Sequence, residues 1–133
     1  MDETGNQTGP DFREVMSAAR EENWDYVDQN LPAFVDNDEV VDWALSAGAT
    51  SDDDNERDLA ASILEKTDHK INEQGRETLY EMMENDTNPY VQFRASFALF
   101  SHRDRFESVI NKIKDATKDE DVKEIAEGYL SQI

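Results

Sequence analysis

Cysteine is absent from this chain of 133 residues, and histidine occurs only twice. Without cysteine the chain has no disulfide, no thiol nucleophile and no thiolate metal site, which fits a reducing compartment. Long apolar runs are also missing, and Met1 is followed by acidic residues where a secretory signal would be basic. We therefore expect a cytoplasmic protein that does not enter a membrane.

Basic residues are few, with 13 Lys plus Arg against 32 Asp plus Glu and a formal net charge of −19. A charge of this size repels nucleic-acid backbones and anionic membranes, and attracts basic proteins at low salt. The sequence therefore predicts neither a nucleic-acid nor a membrane partner. It leaves open whether the acidity serves solubility, adaptation to high salt or a basic partner.

Residue patterns typical of catalysis or metal binding are missing as well. His69 and His102 lie beside turns, and neither has a partner ligand at a spacing such as HExxH, so we interpret both as solvated. The acidic run 52–56 lacks the glycine and the distal glutamate of an EF-hand loop, which favours a solvated helix start. No glycine-rich phosphate loop is present. We expect no cofactor, no metal and no enzymatic activity.

The segment 88–101 has the clearest helical pattern. Asn88 can cap a helix, and Pro89 suits the first helical position, where its missing N–H is not needed. The apolar residues that follow recur at helical period on one stripe. They are Val91, Ala95, Ala98 and Leu99.

The same spacing recurs 35 residues earlier and 31 residues later, at Glu56, Ala60, Ile63 and Leu64 and at Val122, Ala126, Tyr129 and Leu130. Intervals of roughly 20–50 residues are typical of stacked repeats. Each interval has the length of one helix pair. No segment alternates with the period of two that a strand requires.

These three segments resemble the second helix of HEAT-like repeats, in the short form of the phycobilisome-lyase-like family, Asp-Pro-x-Val-Arg-x-x-Ala-x-x-Ala-Leu. The segment 88–99 follows it with Asn88 for Asp and Gln92 for Arg; Glu56 and Tyr129 are departures in the other two copies. The resemblance covers residues 36–133. It implies an all-α fold, a short right-handed solenoid of stacked antiparallel helix hairpins, with partners bound on the concave face of the second helices.

The predicted organisation is a flexible tail at residues 1–9 and one domain at residues 10–133. That domain comprises an N-terminal capping pair at 10–35 and repeat pairs at 36–66, 71–101 and 103–133. Within them we expect a helix opened by Pro10, a helix ending at Gly48, and a last helix from about Asp119. A further helix is expected to bury Phe106, Val109, Ile110 and Ile113.

Phenylalanines give the central copy a second apolar face, where its neighbours carry acidic or small residues. If the copies stack in parallel, they form an aromatic patch with an acidic rim, which is the composition of a binding hot spot. The alternative is that the rings are buried within the chain, covered by its N-terminal segment, or that a second subunit covers them. The predicted protein-binding residues are Asp58, Ser62, Glu65, Phe93, Phe97, Phe100 and Glu124.

We interpret the chain as a non-catalytic module, monomeric or weakly dimeric, that binds a basic protein partner. One alternative is an acidic inhibitor, immunity or nucleic-acid-mimic protein that occupies a basic cleft. The family resemblance adds a second, an accessory subunit of a chromophore lyase, which would need a pocket lined by Tyr90, Trp43 and His102. Arg57 and Arg94 are expected to hold carboxylates of neighbouring turns.

Overall fold

The structure, a computed structural model, describes residues 11–133, and this part of the chain is helical without any strand. The all-α prediction is therefore confirmed. The predicted tail at 1–9 and the helix start at Pro10 lie outside the described residues. The helices are α1 (Phe12–Arg20), α2 (Trp24–Asn30), α3 (Asp38–Leu45), α4 (Asp54–Lys66), α5 (Glu73–Asn85), α6 (Pro89–Ser101), α7 (Glu107–Ala116) and α8 (Lys123–Leu130), with a 3₁₀ turn (Leu31–Ala33) after α2.

Short polar side chains begin the first six helices. In each, an Asp or Asn just before the helix accepts a hydrogen bond from an N–H group of the first turn. Replacing such a cap by alanine typically costs about 1 kcal/mol, so these residues fix where each helix starts. The caps are Asp11, Asn23, Asn37, Asp53, Asn72 and Asn88.

Two predicted helix boundaries are wrong. The α3 helix ends at Leu45 instead of Gly48, because the chain folds back and the Gly48 N–H donates to the Trp43 carbonyl at 2.8 Å. A Cβ at Gly48 would lie 2.9 Å from the Trp43 ring, so this turn requires glycine. The α8 helix begins at Lys123, because residues 119–122 form a turn.

The α7 helix corrects the predicted position of Phe106. This residue precedes the helix and is 67% exposed, with its ring centroid 6.5 Å from that of Tyr80. Val109 and Ile113 are fully buried, as the helical period predicts, and Ile110 is half-buried. The apolar stripe of α7 therefore starts one turn later than the sequence indicated.

The core is centred on α4 and α6, which pack against each other. The α4 helix also contacts α1 and α3, while α6 contacts α5, α7 and α8. Because α6 has neighbours on several sides, it buries its predicted apolar stripe and two of the three phenylalanines on its second apolar face. Its buried residues are Val91, Ala95, Ser96, Phe97, Ala98, Leu99 and Phe100.

Candidate functional site

Phe97 and Phe100 are not on the surface: they are 0% and 1% exposed. The Tyr129 ring of α8 stacks on Phe97 at a centroid distance of 5.4 Å and meets Phe100 edge-on at 5.5 Å. Exposing two such rings would cost roughly 3–6 kcal/mol at about 1.5–3 kcal/mol each, so their burial stabilises the fold. The chain itself covers the predicted aromatic patch, and the rings offer no exposed binding surface.

Glu65 ties Tyr129 to the core. The Tyr129 hydroxyl donates to Glu65 Oε2 at 2.5 Å, across 64 residues of sequence, and Arg94 Nη1 lies 3.5 Å from Glu65 Oε1. Burial, followed by the nearby Glu65 charge, raises the pKa of Tyr129, so the hydroxyl stays protonated and can donate. Glu65 is therefore part of a structural contact, with its side chain only 6% exposed.

Two other predicted residues also lie away from a common patch. Phe93 is half-buried, and its ring meets Tyr90 edge-on at a centroid distance of 6.4 Å. Glu124 is exposed on α8. Of the seven predicted residues, Asp58 and Ser62 line a cleft that we call the acidic groove.

The acidic groove runs between α2, α4, the N-terminal half of α6 and the turn before α8, with a volume of about 660 Å³. Five carboxylates line it against the two cations Lys66 and Arg94. The acidic residues are Glu22, Asp28, Asp54, Asp58 and Asp121. The apolar and aromatic lining is formed by Trp24, Val27, Leu31, Tyr90 and Val122.

Asp58 is the deepest carboxylate of this lining, with its side chain 15% exposed. Its Oδ1 accepts a long hydrogen bond from Ser62 Oγ at 3.5 Å, and Arg94 Nε lies 3.5 Å away in an ion pair without a well-directed hydrogen bond. Burial raises the pKa of Asp58, because it outweighs the attraction of Arg94. One guanidinium thus faces two carboxylates, Asp58 and Glu65, and Lys66 Nζ lies 3.7 Å from Glu65 Oε1.

Hydrogen bonds between neighbouring helix starts hold the rim in place. Asn88 Nδ2 donates to Asp54 Oδ2 at 2.7 Å, and the Tyr90 hydroxyl donates to Asp121 Oδ2 at 2.8 Å. The hydrogen bond to Asp121 raises the pKa of Tyr90 to about 12, so this donor persists at neutral pH. Asp54 and Asp121 nevertheless remain exposed at the rim.

Sequence reasoning missed most of the groove, including Trp24, Asp28 and Asp121. In the sequence-based alignment of the three segments, Asp53, Asn88 and Asp119 occupy the same position, and this alignment could have pointed to the rim. In the structure, hydrogen bonds join the start of α6 to the start of α4 and to the turn before α8. No feature of the sequence indicated that α2 contributes to the groove, since α2 lies outside the predicted repeat pattern.

The histidines are less solvated than the sequence suggested. Both are half-buried: His102 Nε2 donates to the Leu64 carbonyl at 2.7 Å, and His69 Nδ1 lies 3.5 Å from Asp38. His102 does not meet Tyr90 or Trp43, because Tyr90 begins α6, His102 follows its end, and Trp43 packs on Phe12. The three residues of the chromophore alternative therefore share no pocket.

Residues 11–133 contain no group of three or more His, Cys, Asp or Glu side chains arranged to hold a metal ion. Over the same range, no helix combines the length and the apolar character needed to cross a bilayer. Comparison of the chain with protein-family models, curated proteins and solved structures gave no match.

Proposed function

We propose that this protein is a non-catalytic binding module whose acidic groove receives a basic segment of a partner protein. The observation that carries the proposal is the lining of the groove, in which five carboxylates surround aromatic and aliphatic side chains and face two cations. Complementary charge draws a basic partner to this surface and orients it. The apolar lining then provides contact area that is less sensitive to salt.

Cations of the partner have defined places to bind. Arg94 is the cation nearest Asp58 at the floor and is shared with Glu65, and the rim carboxylates Asp54 and Asp121 are held in place by Asn88 and Tyr90. The half-buried ring of Trp24 offers a π face to a guanidinium or ammonium group, a contact worth about 0.5–1 kcal/mol at exposed sites. Arginine and lysine side chains therefore suit the groove better than acidic or purely apolar ones.

The scaffold that presents the groove is, in this proposal, a HEAT-like stack of helix pairs. Three features support the repeat: the equivalent residues Ala60, Ala95 and Ala126 are each 0% exposed, α3–α4, α5–α6 and α7–α8 are packed pairs, and α4 packs on α6. The segment before each second helix also contains the same local hydrogen bond. In it, an Asp or Asn oxygen accepts from the N–H two residues on, at 2.8–2.9 Å, in Asp53–Asn55, Asn88–Tyr90 and Asp119–Asp121.

A fluorescent nine-residue arginine peptide provides a direct test. The groove variant replaces Asp28, Asp54 and Asp121 by Asn, which keeps shape and removes three charges. Because an exposed ion pair is worth about 0.5 kcal/mol, the loss of three weakens peptide binding roughly tenfold in fluorescence anisotropy.

A charge-matched control separates the groove from the total charge. Replacing Glu81 and Glu84 by Gln and Asp115 by Asn removes the same number of charges from exposed positions outside the groove. We expect this variant to bind the peptide within about twofold of the parent. Equal losses in both variants would show that the peptide senses only the overall charge and would refute the proposal.

The two tryptophans allow the occupied site to be located. Trp24 lines the groove, whereas Trp43 packs against Phe12 at a centroid distance of 5.4 Å. In a Trp43→Phe background, the emission of Trp24 should therefore change in step with the anisotropy as the peptide binds. An unchanged spectrum at saturation would place the peptide elsewhere.

In the alternative proposal, the protein is an acidic inhibitor, and its negatively charged surface occupies the basic cleft of another protein. It predicts that binding collapses with modest salt, because long-range attraction dominates. The groove proposal predicts a weaker salt dependence, since the apolar lining contributes as well. Titrations of the peptide at two ionic strengths distinguish them.

A further inference from the structure

A second cleft carries the opposite charge. It has a volume of about 610 Å³ and lies between the C-terminal ends of α4 and α6 and the loop that leads into α5. We call it the basic pocket. Five of its nine lining residues are basic, and only Asp68 is acidic. The basic residues are His69, Lys70, Arg76, His102 and Arg103. Such a concentration is unexpected in a chain with more than twice as many acidic as basic residues.

Some of this charge has an evident structural use. Helix C-termini expose unpaired carbonyl groups and favour nearby cations. Arg76 donates to the His102 carbonyl at 3.1 Å and lies 3.3 Å from Asp104, and His102 donates to the Leu64 carbonyl. These contacts hold both side chains in place at the pocket wall. They do not account for Lys70 or Arg103, whose side chains make no ion pair or hydrogen bond with the described residues.

The backbone of Arg103 provides independent evidence for a role of its side chain. Arg103 follows α6 with a φ of 73°, and the Asp104 N–H donates back to the Leu99 carbonyl at 3.0 Å. This is the helix-ending motif in which glycine is the usual residue, because an L side chain is strained at that position. Strained residues of this kind concentrate at binding sites. With arginine at this strained position, a guanidinium group lines the pocket. Glycine would relieve the strain but would leave the pocket without that group.

We propose that the basic pocket binds the phosphate group of a small phosphorylated molecule. Guanidinium groups bind tetrahedral oxyanions through paired N–H donors, and Lys70 adds a point charge. The volume exceeds that of a single ion and lies within the range of pockets for small organic ligands. The net charge of −19 opposes anions at a distance, but screening confines that repulsion to about 8 Å at physiological ionic strength.

Pyrophosphate is the probe for this site, titrated by calorimetry at about 0.15 M salt, where the Debye length is about 8 Å. The informative variant is Arg103→Gly, because glycine adopts a φ of 73° without strain. We expect its affinity for pyrophosphate to fall about tenfold while its melting temperature stays the same or rises. A weakened affinity in this variant cannot then be attributed to unfolding. Lys70→Ala should weaken binding to a similar extent.

Glu22→Gly is the matched control. Glu22 ends α1 in the same motif, with a φ of 62° and the Asn23 N–H donating to the Ala18 carbonyl, but lines the acidic groove. Its affinity for pyrophosphate should equal that of the parent within about twofold. The proposal is overturned if the parent does not bind pyrophosphate or if Arg103→Gly binds it equally well. It is also overturned if citrate, an anion that carries its charge on planar carboxylate groups, binds as tightly. Glycerol 3-phosphate binding more tightly than inorganic phosphate would support a phosphorylated organic ligand.

Discussion

Glu22 and Arg103 are the two non-glycine residues of the described chain with a positive φ. A left-handed conformation costs an L residue roughly 1–2 kcal/mol, yet the motif that ends α1 and α6 would accept glycine freely. Each of these residues lines one of the two charged clefts. At both positions the residue is strained where glycine would not be, and it places a charged side chain in a cleft.

Gly128 presents the opposite case, a glycine that the fold does not need. It lies within α8, and a Cβ built there would meet no atom within 4 Å. Alanine reduces the conformational freedom of the unfolded chain, so Gly128→Ala should raise the free energy of unfolding by about 0.5–1 kcal/mol. Urea denaturation followed by circular dichroism measures this gain.

Gly75 is the control for that substitution. It also lies within a helix, α5, but a Cβ there would lie 2.6 Å from Ile71 Cγ2 and 2.9 Å from Leu45 Cδ2. Gly75→Ala should therefore lower stability, since the packed neighbours must move. If both substitutions changed the free energy of unfolding in the same direction, the space around the added Cβ would not explain their effects.

At the scale of helices, Arg57 joins α4 to the turn between α5 and α6. Its Nε and Nη2 donate to the two oxygens of Asp86 at 2.8 and 3.1 Å, and the side chains are 15% and 5% exposed. The hydrogen bond to Asp86 raises the pKa of Arg57. The sequence-based expectation that Arg57 holds a carboxylate of a neighbouring turn is confirmed, and Arg94 likewise lies against Asp58 and Glu65.

Arg57→Ala should lower the free energy of unfolding by about 2–3 kcal/mol, because it leaves the buried Asp86 carboxylate without its charged donor. Arg13→Ala removes an arginine–aspartate pair of similar length, 2.9 Å, whose side chains are 86% and 52% exposed. That change should stay within about 0.5 kcal/mol. Equal effects in chemical denaturation would contradict a role for burial.

The helices could be predicted from the sequence because their signals are local. Asn88 and Pro89 mark the start of α6, and the helical period of Val91 and Ala95 marks its buried face. The cover over Phe97 could not be predicted in this way, because it depends on how α8 is oriented relative to α6. Tyr129 aligns with Ala98 in the sequence comparison of the two segments, and this was the one indication that a large ring had to find space.

At the scale of the whole molecule, the acidic groove and the basic pocket lie towards opposite ends of α6. The acidic groove reaches its N-terminal half and the basic pocket its C-terminal end. This arrangement agrees with the helix dipole, which favours acids at the start and bases at the end of a helix. The groove itself could not be predicted from the sequence, since helices from distant parts of the chain form it.

The net charge of −19 leads to a prediction for the whole chain. Like charges repel more strongly in the compact state than in the unfolded chain, so screening should stabilise the fold. We expect the melting temperature to rise as NaCl increases from about 0.01 to 0.5 M, where the Debye length falls from about 30 Å to below 8 Å. A gain of about 1 kcal/mol corresponds to roughly 3–6 °C for a domain of this size. If the melting temperature from differential scanning calorimetry stays constant or falls as NaCl increases, local ion pairs outweigh the repulsion.

The position of Tyr129 in the chain also bears on biosynthesis. Phe97 and Phe100 are translated before the ring that closes over them, and 32 residues separate Phe97 from Tyr129. At a synthesis rate of about 5–20 residues per second, that interval lasts roughly 2–6 s. The two aromatic rings of the nascent polypeptide are therefore made seconds before their own cover, and they cannot reach their native burial until the α8 segment has been synthesised.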